Sequence, residues 1–238
     1  MTPARTSPAR FLPRRAALAL ADAWREGAPV GPLPAGHAPR TTAQAWRVVG
    51  AMLRELDQPA VGFRALPDGS VGPLLATRLV ASGITLPSAA LPGVLASAAA
   101  FFPLMRALPA SATPYTPRRV LAALGPGRAA VDLSAWRTAP PPESLPLRIA
   151  DLGGLGMVVL GQGARGRPDP AALRLSWREG PQATCDIRPL LLAAAEAARR
   201  AGGLPAGAAL VAAGLADTAG GPLACRIVGG GLAQARLA

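Results

Sequence analysis

Ala150-Asp-Leu-Gly-Gly-Leu-Gly-Met-Val-Val-Leu-Gly161 places one acidic residue ahead of a glycine-rich turn and then runs into an apolar stretch, 156–161, that reads as a strand. Asp151 suits the head of such a turn, because an aspartate there can accept nearby backbone N–H groups. Working outward, the same texture of short apolar runs parted by Gly, Pro and Ser recurs at 60–65, 93–102, 129–134, 172–177, 208–213, 223–228 and 232–237. These runs predict a β core. Helical periodicity dominates only near the start of the chain. Residues 16–25 form an apolar stripe closed by Gly27, and Thr41 or Thr42 can cap a second helix through Leu56. Two further helices interrupt the β region: 115–124, with Thr116 as cap and Pro117 at the first helical position, and 188–201, ended by Gly202-Gly203. The expected organisation is an N-terminal helical segment, 1–59, packed on a β core, 60–238, with residues 140–142 as a flexible connection.

Composition narrows the function classes. Half of the 238 residues are hydrophobic, enough to bury a substantial core. The net charge of +12 raises the question of nucleic acid. All 25 basic residues are arginine, however, and they are scattered, with no run longer than pairs such as Arg14-Arg15. A solvated basic surface is the expectation, with no nucleic-acid partner. The longest apolar run, 91–105, is broken by Pro92 and Pro103 and falls short of the roughly 20 residues of a membrane span, so no membrane partner is expected. Cys185 and Cys225 stand far apart without a CxxC or a nearby histidine, which argues against zinc and a disulfide framework and for a reducing, cytoplasmic setting. The arginine-rich stretch before Asp22, the first acidic residue, has the composition of a transit peptide but leads into the first helix.

Order and spelling of these pieces resemble the 2-keto-4-pentenoate hydratase branch of the fumarylacetoacetate hydrolase superfamily over nearly the whole chain. Val61-Gly-Phe-Arg64 is similar to that family's Val-Gly-aromatic-Lys strand. Gly72-Pro-Leu74, the Tyr115-Thr-Pro117 helix and the Leu204-Pro-Ala-Gly207 turn follow in family order. Asp151-Leu-Gly-Gly-Leu-Gly156 stands where the family has Asp-Asn-Ala-Ser-Asn-Gly. The resemblance implies an α+β, mostly β fold: a rolled antiparallel β-sheet core with flanking helices, assembled as a homo-oligomer.

The chemistry implied is metal-assisted. In the family a divalent cation, usually Mg²⁺, chelates the carboxylate and 2-oxo oxygen of a short keto-enoic acid while water adds across the distal double bond. A hard cation needs oxygen ligands, largely carboxylates. The family supplies Glu-x-Glu on one strand, where residues two apart share a face, and a third acid on a following strand. By position, Leu95 and Ser97 replace the two glutamates, and no acidic residue lies between Asp68 and Asp132. The third ligand falls at Val131; Asp132 beside it is the remaining metal candidate, with a surface or turn aspartate as the alternative and preferred reading. No cofactor is therefore expected.

Arg64 replaces the family lysine. It can clamp a carboxylate but cannot shuttle a proton, and a snorkelling arginine at a strand edge is its plainer role. In the signature turn Leu152, Gly154 and Leu155 replace polar residues, which leaves the N–H groups of Gly153 and Gly154, with Asp151, as substrate contacts. Ala213-Gly214 stands for the family's Thr-Gly. Arg64, Asp151, Gly153 and Gly154 are thus the expected binding residues for a small 2-oxo carboxylic acid, and no residue is assigned to catalysis.

Gly161-Gln-Gly-Ala-Arg-Gly166 fits a dinucleotide fingerprint, but Pro168 and Pro170 follow where that motif needs a helix, so a loop is expected. No Gly-x-Ser-x-Gly occurs, and the single histidine, His37, lies in a Pro/Gly loop. Two functions stay open: a hydratase-like lyase, or a non-catalytic relative that binds a small acid or supports an oligomer or partner subunit.

Overall fold

The computed structural model describes residues 11–87, 91, 93–164, 166–216 and 223–238. Two helices, α1 (Pro13–Glu26) and α2 (Thr42–Leu56), precede the strands β1 (Ala60–Ala65) and β2 (Val71–Leu75). A 3-10 turn (Ala76–Arg78) leads to β3 (Leu79–Ala81), β4 (Ile84–Leu86), β5 (Leu95–Pro103) and β6 (Leu108–Pro109). Helix α3 (Pro117–Ala123), β7 (Arg128–Ser134), α4 (Leu145–Ala150) and β8 (Leu155–Leu160) follow. The chain closes with β9 (Leu173–Trp177), β10 (Ala183–Cys185), α5 (Arg188–Arg200), β11 (Gly203–Leu204), β12 (Ala209–Ala212), β13 (Leu223–Ile227) and β14 (Gly231–Leu237).

Local chemistry explains the helix ends. The Thr41 hydroxyl accepts the Gln44 N–H, and the Thr116 hydroxyl accepts the Arg119 N–H ahead of Pro117, each satisfying a donor left open by the first turn. Gly27 ends α1 in the left-handed conformation, φ 67°.

The larger sheet has the order β2-β1-β12-β5-β7-β8-β3 and the smaller β10-β9-β13-β14-β4. Most neighbours are antiparallel, but β1/β12, β3/β8 and β4/β14 run parallel, so the core is a mixed, curled sheet within the expected α+β, mostly β class. Alternation along the strands of the larger sheet divides its side chains between two cores. Phe63, Ala98, Phe102, Val131 and Leu133 pack toward the smaller sheet and α5. Ala99, Phe101, Ala130, Val158 and Val211 pack toward α1, α2 and α4, against Leu20, Val48, Met52 and Ile149. The N-terminal helices thus share a core with the sheet.

Several elements escaped the sequence reading. Strand β2 contains Pro73, which ordinarily argues against a strand; it is tolerated because β2 is an edge. Helix α4 has six residues, too few for a periodicity to show. Residues 140–142 are not a slack connection: Pro142 is buried and its carbonyl accepts a hydrogen bond of 3.0 Å from Arg148 Nε. The glycine motif 161–166 leads through a loop to β9 and not into a helix, as Pro168 and Pro170 require; Arg165 lies outside the described residues.

Candidate functional site

Register decides which side chains meet. Asp132 on β7 stands directly opposite Ser97 on β5, while Arg64 on β1 pairs with Val211 on β12, which pairs in turn with Phe101 on β5. Arg64, Ser97 and Asp132 therefore share the face that looks toward α1 and α2. Strands β1 and β7 are three places apart in the sheet, which in a flat sheet means about 14 Å. The curl closes that gap to the reach of one side chain.

Across it, the Arg64 Nη1–H group donates to Asp132 Oδ1 and, at 3.2 Å, to Ser134 Oγ. Nη2 donates to the carbonyl of Gly153, and the Ser134 hydroxyl donates to Asp132 Oδ2 at 2.7 Å. Arg64 and Asp132 are both fully buried. This corrects the reading of Asp132 as a surface or turn residue: it sits in mid-strand, with both oxygens engaged. Arg64 does not snorkel from an edge, since β1 lies inside the sheet. Ser134, which sequence reading passed over, was signalled only by its i+2 spacing from Asp132.

The two positions expected to carry glutamates do other work. Ser97 Oγ accepts the Gly214 N–H at 3.1 Å, and Leu95, at the start of β5, leaves 63% of its surface exposed.

The signature turn is the C-terminus of α4. Gly153 N–H reaches back to Arg148 O at 2.9 Å, the six-to-one bond of a Schellman ending, and Gly154 N–H bonds to Asp151 O at 2.8 Å. Leu152, Gly153 and Gly154 all hold positive φ, at 52°, 64° and 69°. Leu152 tolerates this while wholly buried; at Gly154 an added Cβ would come within 2.9 Å of the Trp136 ring. The N–H groups expected to meet a ligand are thus spent on the turn.

Asp151 is buried and tied to Arg137: Oδ2 accepts the Arg137 N–H at 2.8 Å, and Oδ1 lies 3.4 Å from Nη1. Burial pushes the Asp151 carboxyl up to about 6, against the attraction of Arg137 and Arg64. Burial likewise draws Arg137 down to about 10, opposed by Asp151 and aided by repulsion from Arg78 and Arg64. Arg137 carried no motif in the sequence.

These residues do not fit a divalent ion. A hard dication takes six or more oxygen ligands, chiefly carboxylates and water. Here one carboxylate, Asp132, faces the position, and a guanidinium already neutralises it. Among the described residues no group of three or more His, Cys, Asp or Glu is placed to hold a metal.

No family model and no curated protein matches the chain by sequence. Solved structures do. 4-Oxalocrotonate decarboxylase from Pseudomonas putida G7, complexed with magnesium and adipate, superposes with a TM-score of 0.75 at 18% identity, covering 96% of this chain and 100% of that one. The same enzyme complexed with calcium and acetate gives 0.74 at 19% identity with the same coverage. The chain therefore shares the fold of that decarboxylase, a curled mixed sheet with flanking helices. No helix among the described residues is long and apolar enough to cross a membrane.

Proposed function

We propose that this chain is a 2-keto-4-pentenoate hydratase-like protein in which an internal ion pair has taken the place of the divalent metal, so that it binds or scaffolds and does not hydrate. The observation that carries this reading is the Arg64–Asp132 pair, sealed in the interior and braced by Ser134 and Gly153. Loss of both glutamates at Leu95 and Ser97 supports it, because no second carboxylate is at hand to rebuild a cation site. The ligand class follows from the likeness in fold: the decarboxylase is known with adipate and with acetate, and a small carboxylic acid of the 2-oxo type is the corresponding ligand here. A reducing, cytoplasmic setting, supported by the two unbridged cysteines, and assembly as a homo-oligomer, which rests on the sequence resemblance, complete the reading.

Purified protein with Mg²⁺ and 2-hydroxypenta-2,4-dienoate, followed in the ultraviolet, should consume substrate no faster than buffer. Mg²⁺-dependent turnover that Asp132→Asn abolishes would restore the hydratase reading.

A further inference from the structure

Beside the signature turn, Trp24 of α1 carries two arginines on its ring: Arg78 Cζ lies 4.0 Å from the ring centroid and Arg137 Cζ 4.3 Å. Guanidinium stacking on indole is favourable, but it leaves the N–H groups around the plane of each guanidinium free to donate. Arg137 spends Nη1 on Ala135 O and on Asp151; among the described residues its Nη2 and Nε make no hydrogen bond. Arg78 has no hydrogen-bond or carboxylate partner among the described residues, and burial alone draws its pKa down. The Asp151 carboxylate that pairs with Arg137 has both oxygens already taken, and Arg78 is close enough to repel the Arg137 charge.

Both arginines line a cavity of about 40 Å³, together with Trp24, Gly27, Leu91 and Trp136. A single water needs roughly 10–15 Å³, so the space takes on the order of three non-hydrogen atoms, the size of a carboxylate group. We propose that this cleft is an anion site that binds one carboxylate, gripped by the free edges of Arg78 and Arg137 over the Trp24 ring. The planar fork of a guanidinium matches two carboxylate oxygens. The site is separate from Arg64 and Asp132, and it requires no metal and no turnover, so it stands or falls independently of the function proposed above.

The four tryptophans supply the test, since Trp24 and Trp136 line the cleft while Trp46 and Trp177 lie elsewhere. Indole N–H resonances of ¹⁵N-labelled full-length protein are followed during titration with sodium acetate at constant ionic strength, with sodium phosphate and sodium chloride as comparisons. The expected result is a saturable shift confined to Trp24 and Trp136, weakened about tenfold or more by Arg78→Gln, the loss of one charge-assisted contact, and only in part by Arg78→Lys. Arg78 lies half-exposed in a 3-10 turn, and the dispersed indole spectrum of each variant reports whether it folds. Shifts that fail to saturate, that move all four indoles alike, or that persist unchanged in Arg78→Gln would overturn the site. Tighter binding of phosphate than of acetate would overturn the carboxylate assignment.

Discussion

Two buried arginine–aspartate pairs meet the same turn, and they are finished differently. Arg64–Asp132 is closed to solvent: Ser134 bridges the carboxylate to the guanidinium, Gly153 takes Nη2, both side chains are sealed, and Arg64 Nε alone is left buried without a partner among the described residues. Arg137–Asp151 is looser, with 3.4 Å between its charged atoms, and a second arginine, Arg78, adds unbalanced positive charge beside a cavity. A buried charge is tolerated once it is neutralised and hydrogen-bonded. The first pair therefore reads as internal architecture, the second as a site with capacity left over.

The comparison can be broken most sharply at the closed pair. Arg64→Leu strands the Asp132 carboxylate in the interior and should lower unfolding free energy by about 3–5 kcal/mol in denaturant melts. Arg64→Met combined with Asp132→Leu should recover most of that loss, because no charge is left unpaired. A double variant as unstable as the single one would show that the pair contributes more than mutual neutralisation.

The looser pair should reveal itself through pH. With its folded pKa raised to about 6 against an ordinary value near 4, Asp151 holds a proton in the folded chain across a window where the unfolded chain has released it. Its contribution to stability is thus full below about pH 4 and lost as pH rises to about 6, a swing of roughly 3 kcal/mol. Measured relative to Asp151→Asn, the native chain should gain stability by about that amount on acidification from pH 7 to 3. A flat difference would make the two pairs alike.

Gly154→Ala tests the turn that both pairs share. Positive φ together with the Trp136 ring at 2.9 Å should cost about 2 kcal/mol in thermal or chemical melts, the range for a forced left-handed residue. Ser134→Ala should cost less, about 1–2 kcal/mol, since it removes one hydroxyl from an otherwise intact pair.

Much of this architecture was legible in the sequence. Thr41, Thr116-Pro117 and Gly27 mark helix ends by local hydrogen-bonding and backbone rules, and short apolar runs parted by Gly, Pro and Ser mark β1, β7, β8 and β13 because that signal is local in sequence. What stayed hidden depends on distance in sequence. Arg64 and Asp132 are 68 residues apart and meet only because the sheet curls, so neither showed that the other would neutralise it. The cleft at Trp24 is assembled from α1, the 3-10 turn and the segment after β7, three places with no common motif. Leu95 and Ser97 were informative in the opposite sense: the wrong side chains in a recognisable order pointed to an altered site before any geometry was known.

The proposed function rests on Arg64 supplying the positive charge that the sequence resemblance assigns to a divalent ion. Electron paramagnetic resonance of Mn²⁺ titrated into the protein with pyruvate present tests it directly, because bound and free Mn²⁺ have distinct signals. The account predicts a free-ion spectrum throughout, in the native chain and in Asp132→Asn alike. One bound Mn²⁺ per chain, displaced by Mg²⁺ and lost in Asp132→Asn, would contradict it.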